Sequence, residues 1–156
     1  MDEEKQAAEE QPAPTAPEEK RPPEEEKPAS PQKTLGKVLL IEDDLPMVKM
    51  YNTKLEKENF ETQVAYTGEE GLEKIKEWSP DLVVLDLMIP KIGGMEVLEK
   101  LRADPKTKNL PVMVLSNLSQ ERDITRSREL GVKDYIIKAN YTPSQVVEII
   151  KGYLKK

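Results

Sequence analysis

The chain has 156 residues and a net charge of −6, room for one ordinary domain but not for two comfortable ones. It contains no cysteine and no histidine, which excludes disulfides, Cys or His metal sites, thiol nucleophiles and every His-based triad, and leaves ionic chemistry to carboxylates, hydroxyls and lysines. No uninterrupted apolar run approaches the ~18 residues of a membrane span, and the N-terminus has no apolar signal core, so the sequence predicts a cytoplasmic protein without membrane contact.

The first 34 residues hold seven prolines and ten acidic against five basic residues, with no aromatic and no Leu, Ile or Val. Such a segment cannot bury enough apolar surface to offset chain entropy. Residues 1–35 are therefore expected to be a disordered, acidic, Pro/Glu-rich tail, a solubilising tether or else a docking segment, ahead of one domain over residues 36–156. Beyond the first 34 residues stand twenty acidic and nineteen basic residues. With no basic stripe in that near-neutral remainder, the expectation is a protein with no nucleic-acid partner.

From Gly36 onward short aliphatic runs alternate with helical periods. VLLI (38–41) is followed by Met47, Tyr51 and Leu55 on one helix face behind Asp44 as N-cap. TQVAY (62–66) precedes Thr67, which with Glu70 makes a capping-box pattern for a helix carrying Leu72 and Ile75. LVVL (82–85) leads through Gly93-Gly94, a loop expected to use permissive backbone angles, into a helix marked by Val97, Leu98 and Leu101. VMVL (112–115) precedes a weaker helix in SQERDITRSRELG, with Ile124 and Leu130 as its few apolar positions. DYIIK (134–138) then leads to a fifth helix behind Thr142-Pro143 with Val146, Val147, Ile149, Ile150 and Tyr153. Five strand-helix units mean parallel strands with right-handed crossovers, a doubly wound five-stranded α/β sheet with five helices. Such a sheet sets its ligand site at the carboxyl ends of its central strands.

The residues that close those strands are Glu42-Asp43-Asp44 after the first, Asp86 after the third, Ser116-Asn117 after the fourth and Lys138 after the fifth. Carboxylates gathered within a few ångström raise one another's pKa unless a cation sits among them. A hard, oxygen-seeking dication such as Mg2+ meets that requirement. With it, one carboxylate oxygen could attack phosphorus in line while the metal and a lysine neutralise the equatorial oxygens, giving an aspartyl phosphate.

VLLIEDD, DLVVLDLMIPKIGGMEVL, PVMVLSN and DYIIK, in this order and spacing, resemble the receiver domain of two-component response regulators from about Gly36 to Lys156. The resemblance implies the flavodoxin-like strand order 2-1-3-4-5, Asp86 as phosphoacceptor, and Glu42 and Asp43 as the acid pair that holds Mg2+, with Asp43-Asp44 as the rival register. It implies a further metal ligand in the main-chain carbonyl of Met88. Ser116 takes the place of the hydroxyl that moves to a phosphoryl oxygen, Lys138 that of the lysine that contacts the phosphate, and Tyr135 that of the aromatic that swings inward. It also implies a sensor histidine kinase or phosphotransfer protein as donor, a downstream protein target, and a stand-alone receiver that is no enzyme beyond its own phosphorylation and dephosphorylation.

Two features depart from or specialise the pattern. The family usually has proline after the lysine, where this chain has Ala139; a cis bond before alanine costs about 2.5–4 kcal/mol, so a trans bond is expected. Met88 and Leu118, each two residues beyond a site residue, cannot orient an attacking water, which implies slow loss of the phosphoryl group. The alternatives are a pseudo-receiver that binds partners without phosphorylation, and a flavodoxin-like cofactor binder or small hydrolase. The last lacks its Gly-rich phosphate loop, since EDDLPM stands there.

Overall fold

The computed structural model describes residues 34–154. The expected disordered tail falls almost wholly outside them, as do Lys155 and Lys156. The chain runs β1 (Gly36–Ile41), α1 (Leu45–Lys57), β2 (Phe60–Ala65), α2 (Gly68–Trp78), β3 (Leu82–Leu85), α3 (Gly94–Ala103), β4 (Val112–Ser116), α4 (Glu121–Glu129), β5 (Asp134–Ile137) and α5 (Pro143–Leu154). All strands pair in parallel in the order β2-β1-β3-β4-β5, as the sequence led us to expect.

Because strand side chains alternate between faces, the wholly apolar strands feed two cores. Val38, Leu40, Val84, Met113, Leu115 and Ile136 pack with Tyr51 and Leu55 of α1 and Val146, Val147 and Ile150 of α5. Leu39, Ile41, Val83, Leu85, Val112 and Val114 pack with Ile75 of α2 and Val97, Leu98 and Leu101 of α3. β1, β3 and β4 are thus covered on both faces, which explains their uniform hydrophobicity.

Helix starts follow their caps. Asp44 accepts from Met47 N at 3.3 Å. Thr67 Oγ1 accepts from Glu70 N at 3.0 Å, while the Glu70 carboxylate reaches back to Tyr66 N, one residue before the partner a capping box uses. β2 begins two residues before the expected strand, because Phe60 lies opposite Gly36 and is buried, and it ends before Tyr66. β5 stops at Ile137, since Lys138–Asn140 form a single 3-10 turn.

α4 is the weakly anchored helix anticipated from its sequence, and Ser127 is its one buried residue, its hydroxyl donating to Ile124 O at 3.0 Å. Its far end is nonetheless held. The Arg102 guanidinium, at the end of α3, donates to Leu130 O at 2.6 Å and Gly131 O at 3.4 Å on one side. On the other it donates to the carbonyls of Thr107, Lys108 and Leu110. Arg126 of α4 also pairs with Glu99 of α3 at 3.3 Å. Among the described residues no helix is long and apolar enough to cross a membrane.

Candidate functional site

β1 and β3 are adjacent, with Ile41 opposite Leu85, so the residues that follow them emerge side by side. Asp86 N donates to Ile41 O at 3.0 Å and Glu42 N to Ala65 O at 3.0 Å, extending the ladder by one rung and aiming both carboxylates at the same edge. Glu42, Asp43 and Asp86 each offer an oxygen within 4.8 Å of the others; Asp43 is exposed and the other two are buried. Asp44 instead caps α1 and lies outside this group, which favours the Glu42-Asp43 pair over the rival register.

Lys138 crosses to this cluster from the end of β5. Its Nζ lies 2.7 Å from Glu42 Oε1 and 2.9 Å from Asp86 Oδ2, with the lysine side chain only 10% exposed. The remaining oxygens are engaged by backbone: Asp86 Oδ1 accepts from Met88 N at 3.0 Å and Glu42 Oε2 from Asp44 N at 3.2 Å. Met88 is therefore tied to Asp86 by its amide, while its side chain points to solvent, 59% exposed.

Ser116 ends β4 and is fully buried, but its hydroxyl is not joined to the cluster. It accepts from Leu118 N at 3.2 Å. Tyr135 is half-buried and its hydroxyl donates to Leu118 O. The serine and the aromatic thus hold the two ends of one loop turn, Ser116 through Leu118 N and Tyr135 through Leu118 O.

The electrostatics follow from what stands behind the carboxylates. A void of about 10 Å3 lined by Leu40, Ile41, Val48, Tyr51, Val84 and Leu115 backs Glu42 and Asp86, a wall that offers almost no hydration. Burial pushes the Glu42 carboxyl up to about 7, the Asp86 charge adds to this, and the hydrogen bond from Lys138 opposes it. Burial works to lower the Lys138 ammonium, but its bonds to Glu42 and Asp86 prevail and hold it above its usual value. The Tyr135 phenol is raised by burial and then by the charges of Asp123 and Asp86.

The Glu42 shift has a definite sign. Between its unfolded value of 4.5 and about 7 the folded domain holds a proton that the unfolded chain has released. On this account stability is greatest below about 4.5 and is lost as pH rises through about 7. We expect Glu42→Gln to flatten the pH dependence of the urea midpoint between about pH 5 and pH 8, in chelator. A slope identical to wild type would contradict the assignment. A cation bound at these carboxylates must displace the same proton, so divalent affinity is expected to fall as pH drops below about 7.

The loop after β3 is built differently from the sequence expectation. Gly93 has an ordinary φ of −66°; the left-handed residues are Lys91 (φ 50°) and Ile92 (φ 78°), the latter an uncommon conformation for a β-branched side chain. The turn is held because Pro90 O and Lys91 O accept from Gly68 N and Glu69 N, the free amides that begin α2. Gly94 serves close approach, since a Cβ there would lie 2.4 Å from Leu87 Cα and 2.6 Å from Asp86 O. A residue list could have flagged Gly94, but not Arg102, whose role depends on carbonyls distant in sequence. A hollow of about 420 Å3 opens beside this loop, lined by Glu69, Glu73, Lys76, Lys91 and Ile92; none of the site carboxylates reaches it.

The family model for the response regulator receiver domain matches residues 38–151. The DNA-binding response regulator MtrA of Mycolicibacterium paratuberculosis is 32% identical over 120 residues, 77% of this chain and 52% of the relative. Among solved structures, the Mn2+-bound form of response regulator Rcp1 aligns with a TM-score of 0.69 at 27% identity, covering 78% of this chain and 96% of that one. The phosphorylated cyanobacterial phytochrome response regulator RcpA aligns with a TM-score of 0.65 at 34% identity, covering 76% and 90%. The chain spans about half the length of the curated relatives it matches.

One expectation is corrected by these relatives. The near-neutral charge leads one to expect no nucleic-acid partner, yet MtrA is a DNA-binding regulator and others are transcriptional regulators. The physical reason is that charge balance reports only on the surface of the region counted, and says nothing of what a matching region is joined to or works with.

Proposed function

The chain belongs to the response regulator receiver domain family, and from that premise we propose that it accepts a phosphoryl group on Asp86 from a histidine kinase or phosphotransfer protein, with Mg2+, and signals through changed macromolecular contacts. The observation that carries this reading is the convergence of Glu42, Asp43 and Asp86 with the Lys138 ammonium at one sheet edge. Three hard oxygen donors suit a divalent ion of the Mg2+ or Mn2+ kind, and Rcp1 offers a Mn2+-bound precedent in the same fold. Glu42, Asp43 and Asp86 would hold it, with the Met88 carbonyl as a further ligand. When bound, Mg2+ supplies positive charge against the phosphoryl oxygens.

The residues of the chain do the rest. An Asp86 oxygen forms the O–P bond while the donor's P–N bond breaks and the electron pair leaves on the donor nitrogen. Lys138, already 2.9 Å from Asp86, stays beside the phosphoryl oxygens as a fixed countercharge. The new group adds roughly −1.5 to −2 charge. Ser116 Oγ accepts from Leu118 N and can turn its own proton toward the new group. The chain catalyses only its own phosphorylation and dephosphorylation, and its cytoplasmic setting goes with this reading. Kinship with DNA-binding regulators supports a signal that acts in the end on nucleic acid.

Intact mass after incubation with acetyl phosphate or phosphoramidate tests the reading. A phosphoryl adduct is expected with Mg2+ and not in chelator; folded protein that takes none in either condition would refute it. A further expected result concerns lifetime. Met88 and Leu118 present only apolar side chains beside the site, so Met88→Asn with Leu118→Glu should shorten the adduct's half-life severalfold by orienting water. An unchanged half-life would contradict the role given to these positions.

A further inference from the structure

The departure at Ala139 has a structural counterpart. Ala139 N donates to Asn117 Oδ1 at 3.0 Å, so the residue after Lys138 is bonded to the residue after Ser116. The β4–β5 ladder is in register up to Ser116 opposite Ile137. Beyond that pair the strands part, one into the loop before α4 and the other into the 3-10 turn Lys138–Asn140. The Asn117 side chain adds one rung past the end of the sheet, with an amide oxygen in place of a main-chain carbonyl.

Lys138 is the residue this rung steadies. On its N-terminal side Ile137 is paired in the sheet. On its C-terminal side the Ala139 amide is tied to Asn117, and its own carbonyl accepts from Tyr141 N at 3.3 Å. A lysine has four side-chain torsions to order, so how well Nζ bridges Glu42 and Asp86 depends on how firmly its Cα is set. A proline at 139 would have no N–H to give. Asn117 and Ala139 therefore work as a pair.

We propose that Asn117 is a positioning residue for Lys138, acting through the Ala139 amide. This rests on the reading of Asp86 and Lys138 given above for its kinetic consequence, though not for its structural one. The loss expected is that of one exposed net hydrogen bond, about a three- to tenfold change.

The test compares wild type, Asn117→Ala and Asn117→Asp, the last keeping an acceptor oxygen. In metal-free, unphosphorylated protein, hydrogen exchange of the Ala139 amide should quicken in Asn117→Ala and return in Asn117→Asp, and the Lys138 Nζ resonance should move toward that of a free lysine in the alanine variant alone. With phosphoramidate at saturating Mg2+, Asn117→Ala should react about three- to tenfold more slowly than wild type. Ala139 exchange and a Lys138 resonance unmoved by Asn117→Ala would overturn the proposal, as would a wild-type phosphorylation rate in that variant. If wild type itself takes no phosphoryl group, the functional reading falls, and the two resonance measurements still decide whether Asn117 positions Lys138.

Discussion

Asp86→Asn is expected to take up no phosphoryl group from phosphoramidate under conditions in which wild type gains one, while keeping its fold. The amide has no anionic oxygen to attack phosphorus, and it removes one of the three hard ligands of the acid group. The surroundings tolerate the change. The side-chain amide oxygen of the variant can still accept from Met88 N, and Lys138 keeps Glu42 at 2.7 Å. Removing the Asp86 charge also takes away one cause of the raised Glu42 carboxyl, so Glu42 should ionise more readily beside the lysine. Intact mass reads the first effect and urea unfolding the second. A Mg2+-dependent adduct of equal yield in the variant would show that the acceptor lies elsewhere.

Gly94→Ala should be strongly destabilising. The new Cβ would meet Leu87 Cα at 2.4 Å and Asp86 O at 2.6 Å, and these backbone atoms cannot swing aside as a side chain can. Either the start of α3 or the segment carrying Asp86 must shift. Overpacking in cores costs about 1–3 kcal/mol, and backbone partners put this case at or above the top of that range. Gly152→Ala is the matched control: it sits in α5 with nothing within 4 Å of its added Cβ and should gain up to about 1 kcal/mol from helix propensity. The urea midpoints should therefore move in opposite directions, and a Gly94→Ala protein as stable as wild type would contradict the close approach. Its phosphorylation should also slow, since Asp86 is one of the residues pushed.

The parallel sheet and the carboxylate edge were legible because they depend on pattern, while the strand order came with the family resemblance. Short, Val- and Ile-rich apolar runs set between helical periods read as strands buried on both faces, and Glu42, Asp43, Asp86 and Lys138 each stand at the end of one. Less legible were features that depend on where distant backbone lies. Gly93-Gly94 promised unusual torsions, but φ > 0 fell on Lys91 and Ile92, where residue type gives no hint. Ser116 was placed at the right strand end, yet its hydroxyl bond to Leu118 N follows from a local turn that alternation does not encode. The start of β2 at Phe60 was set by its pairing with Gly36 rather than by its own composition.

The Arg102 clasp changes what kind of part α4 is. Nine residues make a rod of about 13 Å, gripped where Leu130 and Gly131 meet the guanidinium and joined at its other end to the loop that follows Ser116. A rod fixed at one end is a lever. Drawing its free end by about 2 Å tilts it by about 10° and leaves its last turn in place. Any displacement carried along that loop would thereby arrive as a change of angle, felt by whatever rests on the first turns of α4 and hardly at all by what rests on its last.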